Sequence, residues 1–374
     1  MRKAFFLFDM DGVLLIPGGY REATNATIRR IGEALGVSHP QLAEDQIAHF
    51  EALSITNEWD TIAICAALML VNIWQTAPEV RLEGFLPCEK PDQFQMPDVD
   101  AFLASFSEVG DLPCVSAYEK ILGDHPDLTE EQKAHLQEIL FTARDIIESP
   151  ILSIHQEAVL GSETFQHYYG LEPKLGVESY LMTFDTPALS PSNEHSLRSR
   201  LSEVGYLAGI MTNRPSRSPD GYLSAPEAEL GAKLVRMDDL PLMGSGMLAW
   251  FGETHCSLAG HLLLKPNPVH CLALLQMCAG TPVTQALELS CDLWRGRGDV
   301  GDWVQFDGSQ VYIFEDAVKG LKAGMNARGL LAEEQIDIDL RLIGISSSPI
   351  KRAALAEVAD QVFTDINEIE WGAI

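Results

Sequence analysis

The stretch that constrains this chain most lies near its N-terminus, where four consecutive apolar residues at positions 5–8 run into Asp9. A short apolar run that stops at a polar residue is typical of a strand buried on both faces of a parallel sheet. Asp11 and Gly12 follow at once and favour a turn. The sequence therefore predicts an α/β fold whose first strand ends in two closely spaced carboxylates.

The position of Asp9 and Asp11 indicates a functional site. Open parallel sheets bind their ligands at the carboxyl ends of the strands, which is where both acids are expected. Two neighbouring carboxylates repel each other unless they share a cation or a proton. Such a pair is therefore typical of a metal site or of acid–base catalysis. An ordinary strand followed by an Asp-Gly turn is the alternative interpretation.

Length and composition describe a globular protein with a strongly acidic surface. The chain has 374 residues, of which 46% are hydrophobic and 21% charged, and this length suits two domains or one domain with a large insertion. The 54 Asp and Glu residues outnumber the 26 Lys and Arg residues, so the formal net charge is -28. Because this charge repels nucleic acids and anionic membranes, we expect neither as a partner.

The cysteine pattern indicates a reducing compartment. No two of the seven cysteines form a C-x-x-C pair, and the N-terminus leads into a strand without a signal-peptide pattern. We therefore expect free thiols and a cytoplasmic protein. The longest apolar run, residues 61–74, is shorter than the roughly 20 residues that a membrane span needs. The cysteines are Cys65, Cys88, Cys114, Cys256, Cys271, Cys278 and Cys291.

Residues 16–185 predict a large helical insertion. Helical periodicity dominates this block, which includes predicted helices over 129–148 and 154–169, and Thr129 with Gln132 forms a capping-box pattern. The alternation of strands and helices resumes near residue 185. We therefore predict a doubly wound, Rossmann-like parallel sheet formed by residues 1–15 and 186–374, interrupted after its first strand by an all-helical domain.

Thr212, Asn213 and Arg214 follow a predicted strand over residues 205–211. A hydroxyl group with a backbone amide behind it is suited to holding a phosphate oxygen at the edge where Asp9 is expected. Ordinary turn formation is the alternative, because Thr and Asn are common turn residues. Further along, residues 241–250 are interpreted as a possible strand, and residues 251–260 as a loop.

Two more segments bring charge to the same edge of the sheet. Lys265 follows an apolar segment over 261–264 that we interpret as a strand, and its ammonium could neutralise a carboxylate and a phosphate. A surface lysine is the alternative. Glu315 and Asp316 end a predicted strand over 311–314 and are oxygen ligands of the kind that Mg²⁺ prefers. Helix capping by Asp316 is the alternative.

These residues together resemble the four motifs of the haloacid dehalogenase superfamily, over residues 1–15 and 186–374. A helical insertion directly after the first motif resembles the helical-cap members, such as beta-phosphoglucomutase and phosphoglycolate phosphatase, although the insertion here is longer than the usual cap. The motif residues, in order, are Asp9-x-Asp11-Gly12, Thr212, Lys265 and Glu315-Asp316, followed by Gly320 and Ala323-Gly324.

The resemblance implies a phosphoryl-transfer mechanism. Asp9 would attack phosphorus to form an aspartyl phosphate, and Asp11 would act as general acid and then as general base. Thr212, Asn213 and Lys265 would bind the phosphate oxygens. Dehalogenase members lack the acid found here at position 11, so carbon–halogen cleavage is not expected.

The resemblance also implies a Mg²⁺ cofactor. The ion would be bound by Asp9, the backbone carbonyl of Asp11 and Asp316, with Glu315 as a ligand or as the partner of one. Substrate specificity would come from the predicted cap. Arg21, on its first helix, is a candidate for binding the substrate anion, with a solvent-facing role as the alternative.

Arg214 is a further candidate for substrate binding, with an ion pair to an acid as the alternative. We expect a Mg²⁺-dependent phosphatase that acts on a small phosphorylated metabolite. Two other functions stay open at this point. One is a phosphomutase of the beta-phosphoglucomutase kind, and the other is a non-catalytic binding protein on the same fold.

Overall fold

The computed structural model describes residues 3–53, 55, 57–83, 86, 87, 93–106, 110, 112–219 and 222–374. Cys88, which is also predicted to have a free thiol, lies outside these residues. The other six cysteines are free thiols. None of the helices in the described ranges has the length and apolar character that a membrane crossing requires.

The chain divides into two compact units. One, called here the sheet unit, consists of Met1–Gly18 and Phe184–Ile374. The other, called the helical unit, consists of Gly19–Thr183.

The described strands, in chain order, are β1 (Ala4–Phe8), β2 (Leu15–Ile16), β3 (Val37–Ser38), β4 (Leu82–Glu83), β5 (Leu86–Pro87), β6 (Phe94–Gln95), β7 (Thr186–Pro187), β8 (Tyr206–Met211), β9 (Leu242–Met243), β10 (Gln310–Glu315), β11 (Asp339–Ile345) and β12 (Gln361–Phe363).

The described α-helices of the helical unit are α1 (Gly19–Ala34), α2 (Glu44–Ala52), α3 (Glu58–Thr76), α4 (Val99–Ala104), α5 (Pro113–Asp124), α6 (Glu130–Phe141), α7 (Pro150–Leu160), α8 (Ser162–Tyr169) and α9 (Tyr180–Phe184), the last of which ends one residue inside the sheet unit. Those of the sheet unit are α10 (Pro191–Leu201), α11 (Glu227–Leu234), α12 (Ser245–His255), α13 (Pro268–Cys278), α14 (Val283–Trp294), α15 (Val318–Glu333) and α16 (Pro349–Ala356).

The sheet unit contains a six-stranded sheet in the order β12-β11-β10-β1-β8-β9, and every adjacent pair is parallel. The chain builds the sheet outward from β1 to β9 and then returns to place β10 on the other side of β1. The strand order therefore reverses between β1 and β10, which is where doubly wound folds bind their ligands. The predicted α/β fold with a Rossmann-like parallel sheet is confirmed.

Both faces of the sheet are buried, as the apolar run predicts. Phe5 and Leu7 belong to one apolar cluster, and Phe6 and Phe8 to the other. The rings of Phe8 and Phe314 stack with centroids 4.6 Å apart, so the ends of β1 and β10 are packed together. This packing fixes the positions of the residues that follow each strand.

One predicted strand of the sheet unit is wrong, and a second is much shorter than predicted. Residues 261–264 lie mostly in a 3-10 helix, Gly260–Leu263, because their N–H groups bond locally; the Leu262 N–H donates to Ala259 O at 3.0 Å. In the segment 241–250 only β9 is a strand, and α12 follows at once. The predicted loop over 251–260 is therefore mainly the second half of that helix and the turn after it.

The helical unit differs from its prediction in detail. The helix predicted over 154–169 is two helices, α7 and α8, because Gly161 with φ +80° interrupts it. The helix predicted over 129–148 ends at Phe141. The capping box is confirmed, with Thr129 Oγ1 accepting from the Gln132 N–H at 3.2 Å. Two short strand pairs, β3 with β6 and β4 with β5, show that the unit is not wholly helical.

His155 on α7 is a buried polar residue in the helical unit. It is 1% exposed, packs where α7 contacts α1, and has a hydrogen bond to the backbone of Ala23. Burial lowers the pKa of this imidazole to about 4, and the Ala23 bond opposes that shift only in part. His155 is therefore neutral in the folded protein at neutral pH.

The buried imidazole predicts acid destabilisation with a defined pH range. The unfolded chain binds a proton at His155 near pH 6.5, so its contribution to stability is present above that pH and is lost as the pH falls towards 4. We expect the loss from this residue to reach about 2 kcal/mol at pH 5. The measurement is the free energy of unfolding in urea at pH 7.5 and at pH 5.0. In His155→Gln the difference between these two free energies should be smaller than in the wild type by that amount. The exposed His167→Gln should leave it unchanged, and equal behaviour of the two variants would contradict the prediction.

Candidate active site

The candidate site forms where the strand order reverses. Asp9 follows β1, and its N–H donates to Phe314 O at 2.9 Å, so the pairing of β1 with β10 continues to this residue. Glu315 ends β10, and Asp316 comes next. Asp9 is 7% exposed and Glu315 is 1% exposed. The sheet register thus brings three carboxylates to one edge, two of them buried.

Lys265 supplies the positive charge between two of these acids. Its Nζ donates to Asp9 Oδ1 at 2.6 Å and to Glu315 Oε1 at 2.5 Å. The lysine side chain is 5% exposed, which contradicts the surface-lysine alternative. The residue reaches this position from the turn between the 3-10 helix and α13, not from a strand.

Burial and the neighbouring charges shift the pKa values of Asp9, Glu315 and Lys265. Burial raises the pKa of Asp9, and the charges of Asp316 and Asp11 add to that effect, while Lys265 opposes it. Burial and then the Asp9 charge raise the pKa of Glu315. Burial alone would lower the pKa of Lys265, but the two ion pairs outweigh burial and raise it. Because one ammonium serves these buried acids, the site favours a further cation.

The acids at this edge suit a metal ion. Asp9, Glu315 and Asp316 each offer a carboxylate oxygen, and these oxygens lie within 4.8 Å of one another. A set of carboxylate oxygens is the donor chemistry that Mg²⁺ prefers. Among the described residues the carboxylate of Asp11 is not in this group, and the predicted contact of the Asp11 backbone carbonyl with the metal stays a prediction. Lys351 Nζ also reaches the cluster, at 2.5 Å from Asp316 Oδ2.

Two glycines make room for the carboxylates. A Cβ atom on Gly320 would lie 1.8 Å from Glu315 Oε1, so only glycine lets α15 pass this side chain. Gly12 has φ +77°, and a Cβ there would lie 2.7 Å from Asp316 Oδ2. The capping alternative for Asp316 is not observed, since the residue before α15 is Ala317 and no side chain caps the helix.

The predicted phosphate-binding residues after β8 have different environments. Thr212 is 1% exposed, and its Oγ1 accepts from the Arg214 N–H at 3.1 Å. Asn213 is exposed. Since β8 pairs in parallel with β1, both residues follow a strand at the same edge as Asp9. Their contact with a phosphate stays a prediction.

Arg214 forms ion pairs with two acids. Its Nε donates to Asp11 Oδ2 at 2.8 Å, and its Nη2 donates to Asp11 Oδ1 and to Asp185 Oδ2, the latter at 2.8 Å. The arginine side chain is 2% exposed, that of Asp185 is 0% exposed and that of Asp11 is 35% exposed. The ion-pair alternative is thus observed for Arg214, while its predicted substrate contact is not tested.

Arg21 lies in the helical unit, on α1. Its Nη1 is 3.4 Å from Glu44 Oε1, and its side chain is 51% exposed. A pair this exposed contributes little to stability. Its predicted role in binding a substrate anion stays a prediction.

Two residues that form ion pairs with predicted site residues were not predicted from the sequence. They are Asp185, which pairs with Arg214, and Lys351, which pairs with Asp316. Asp185 lies where the strand–helix alternation resumes, a few residues before the Pro-initiated helix α10. Lys351 lies in the first turn of α16, shortly after β11 ends. A charge after a predicted strand was a usable signal for Lys351, whereas nothing local distinguished Asp185 from a turn residue.

No protein-family model and no curated protein sequence matches this chain. Among solved structures, the X-ray structure of a target of the Northeast Structural Genomics Consortium is similar, with a TM-score of 0.68 at 16% identity, covering 98% of this chain and 97% of that one. The structure of phosphatase Tt82 from Thermococcus thioreducens gives a TM-score of 0.44 at 13% identity, covering 94% of this chain and 99% of that one. The first similarity shows a shared fold, and the TM-score of the second is too low to support an inference.

Proposed function

We propose that this chain is a Mg²⁺-dependent phosphatase that hydrolyses a small phosphate monoester through an aspartyl-phosphate intermediate. The observation that carries the proposal is the group of Asp9, Lys265, Glu315 and Asp316 at the carboxyl ends of β1 and β10. Burying two acids and a lysine together is costly, and such clusters are typical of catalytic sites. The order of these residues along the chain also resembles the haloacid dehalogenase motifs.

Each residue has a defined task in this proposal. Asp9 attacks phosphorus and displaces the alcohol, and water then hydrolyses the aspartyl phosphate. Lys265 stabilises the ionised form of Asp9 and the charge on the transferred phosphoryl group. Asp11 donates a proton to the leaving oxygen and later accepts one from the attacking water. Thr212 and Asn213 donate hydrogen bonds to the phosphoryl oxygens.

The metal is part of the proposal. Asp9, Asp316 and Glu315 would hold Mg²⁺, which when bound supplies positive charge that offsets the repulsion between the carboxylates and the phosphate. The helical unit would act as the cap that contributes substrate specificity, with Arg21 as a candidate contact. A small phosphorylated metabolite fits a protein whose other surfaces carry a strong negative charge.

Replacing the nucleophile tests the mechanism directly. We expect phosphate release from at least one phosphate monoester, dependent on Mg²⁺, and a fall of about 10³-fold or more in Asp9→Asn, since the amide cannot form the intermediate. The measurement is phosphate release from a panel of esters with Mg²⁺ or with a chelator. The exposed Asp238→Asn removes the same charge away from the site and should keep full activity.

The same panel distinguishes the alternatives. Turnover that needs a sugar bisphosphate as primer and yields an isomeric sugar phosphate would favour the mutase. A folded protein that binds Mg²⁺ but releases phosphate from none of the esters would contradict the phosphatase and favour a binding protein.

Removing the buried ammonium tests the link between the acids and the metal. Lys265→Met leaves Asp9 and Glu315 without their cation, so we expect the unfolding free energy to fall by about 3–5 kcal/mol in the presence of a chelator. Mg²⁺ should then raise the melting temperature of this variant more than that of the wild type, because it replaces the missing charge. Thermal unfolding with and without Mg²⁺ measures both effects.

Lys322→Met is the matched control, because Lys322 is exposed on α15. It should respond to Mg²⁺ as the wild type does. If Mg²⁺ fails to stabilise Lys265→Met, the three carboxylates do not form the metal site.

A further inference from the structure

A series of ion pairs with a buried arginine at its centre links the proposed general acid to the points where the polypeptide leaves and re-enters the sheet unit. Asp11 binds the guanidinium of Arg214, and Arg214 binds Asp185. Asp185 in turn accepts the Gly18 N–H on Oδ1 at 2.8 Å. Gly18 is the last residue of the first segment of the sheet unit, and Asp185 is near the start of the second.

Arg214 is held rigidly from several directions. Its N–H donates to Thr212 Oγ1, and its carbonyl accepts the Ser245 N–H at 2.9 Å, so β8 and the start of α12 fix its backbone. The Asp185 carboxylate, which is fully buried, fixes the guanidinium. The Nε and Nη2 groups then present a planar fork to Asp11, and a fork of this kind sets the orientation of the carboxylate that it binds.

The two backbone segments that carry Asp11 and Asp185 are also joined directly, by strand pairing. Shortly after Asp11, β2 pairs antiparallel with β7, the strand that directly follows Asp185. The Ala188 N–H donates to Leu14 O at 2.9 Å and extends this pairing. Asp11 therefore lies on a segment that is held by the backbone at β2 and β7 and by the Arg214 side chain.

We propose that Arg214 is a positioning residue for the Asp11 carboxyl group, and that Asp185 holds Arg214 in place for this task. The inference rests on the proposed phosphatase function, in which Asp11 transfers a proton to the leaving oxygen. In this proposal Arg214 acts through Asp11 and not on the reacting atoms. Asp11 is partly exposed, so without the fork its carboxyl group would sample other orientations.

The leaving group provides a readout that a purely structural role would not move. An alkoxide needs a proton in order to leave, whereas 4-nitrophenolate leaves without one. The constant kcat/KM covers only the steps up to formation of the aspartyl phosphate, so it excludes the later hydrolysis in which Asp11 acts as base. Comparing kcat/KM for an alkyl phosphate and for 4-nitrophenyl phosphate isolates the acid function.

Arg214→Lys is the main test variant, because it keeps the buried charge opposite Asp185 but lacks the fork. We expect kcat/KM for the best alkyl ester of the panel to fall about 10- to 100-fold, and that for 4-nitrophenyl phosphate by less than about 3-fold. Asp11→Asn should show the same selectivity. The double variant should lose little more on the alkyl ester than Asp11→Asn alone, since both act on one step.

Two further variants complete the experiment. Asp185→Asn still offers an acceptor for the Gly18 N–H and should give the same selectivity with a smaller fall, about 3- to 10-fold, and it serves if Arg214→Lys does not fold. Arg198→Lys is the matched control, since Arg198 makes a two-bond pair with Asp239 at 2.8 and 2.9 Å elsewhere in the sheet unit. It should change neither constant.

The outcomes separate the two proposals. If the wild type turns over neither ester, the proposed function is wrong and the role of Arg214 falls with it. If the wild type is active and Arg214→Lys or Asp185→Asn lowers both constants equally, or neither, the positioning role is wrong while the phosphatase stands. Selective loss on the alkyl ester in these variants supports the inference.

Discussion

A single ammonium group, that of Lys265, lies between the buried carboxylates of Asp9 and Glu315, and the charged edge of the sheet depends on this contact. The three groups come from three separate parts of the chain: the end of β1, the turn before α13 and the end of β10. Charges buried this deeply are tolerated only when they are paired. The contact therefore requires β1 and β10 to be adjacent and the turn before α13 to approach them closely.

The sheet meets that requirement through its apolar faces. Phe8 and Phe314 stack directly before Asp9 and Glu315, so the rigid part of the core reaches to within one residue of the charged groups. Gly12 and Gly320 remove the side chains that would otherwise clash with Asp316 and Glu315. The stacked rings on one side, and the two glycines without a Cβ atom on the other, thus define a small volume in which the acids lie close together.

A second cluster, centred on an arginine, lies in the same unit. In it, as in the first, one buried cation pairs with two acids. Lys265 serves Asp9 and Glu315, while Arg214 serves Asp11 and Asp185. In the roles proposed above, the compact ammonium of the first cluster would leave its acids able to bind a metal ion, whereas the planar guanidinium of the second would fix the orientation of its partner. The two neighbouring acids of the first motif therefore have different cationic partners, Lys265 for Asp9 and Arg214 for Asp11.

The class of fold and the residues at the strand ends could be predicted from local sequence patterns. The apolar run before Asp9 is typical of a strand covered on both faces, and the later strands carry the same signal. The acids at positions 9, 315 and 316 were recognisable because charge directly after such a strand is unusual. Lys265 was recognisable by its position after an apolar segment, although that segment is a 3-10 helix.

Which charged residues contact one another depends on the packing of distant segments and could not be predicted from local patterns. A local pattern cannot separate a strand from a 3-10 turn when both are short and apolar, since the difference lies in hydrogen bonds to distant segments. For the same reason the partners of Arg214 could not be read from its neighbours: Asp11 and Asp185 are distant along the chain. Burial and pairing are properties of the assembled sheet, and they bring separate acids and bases together at one edge.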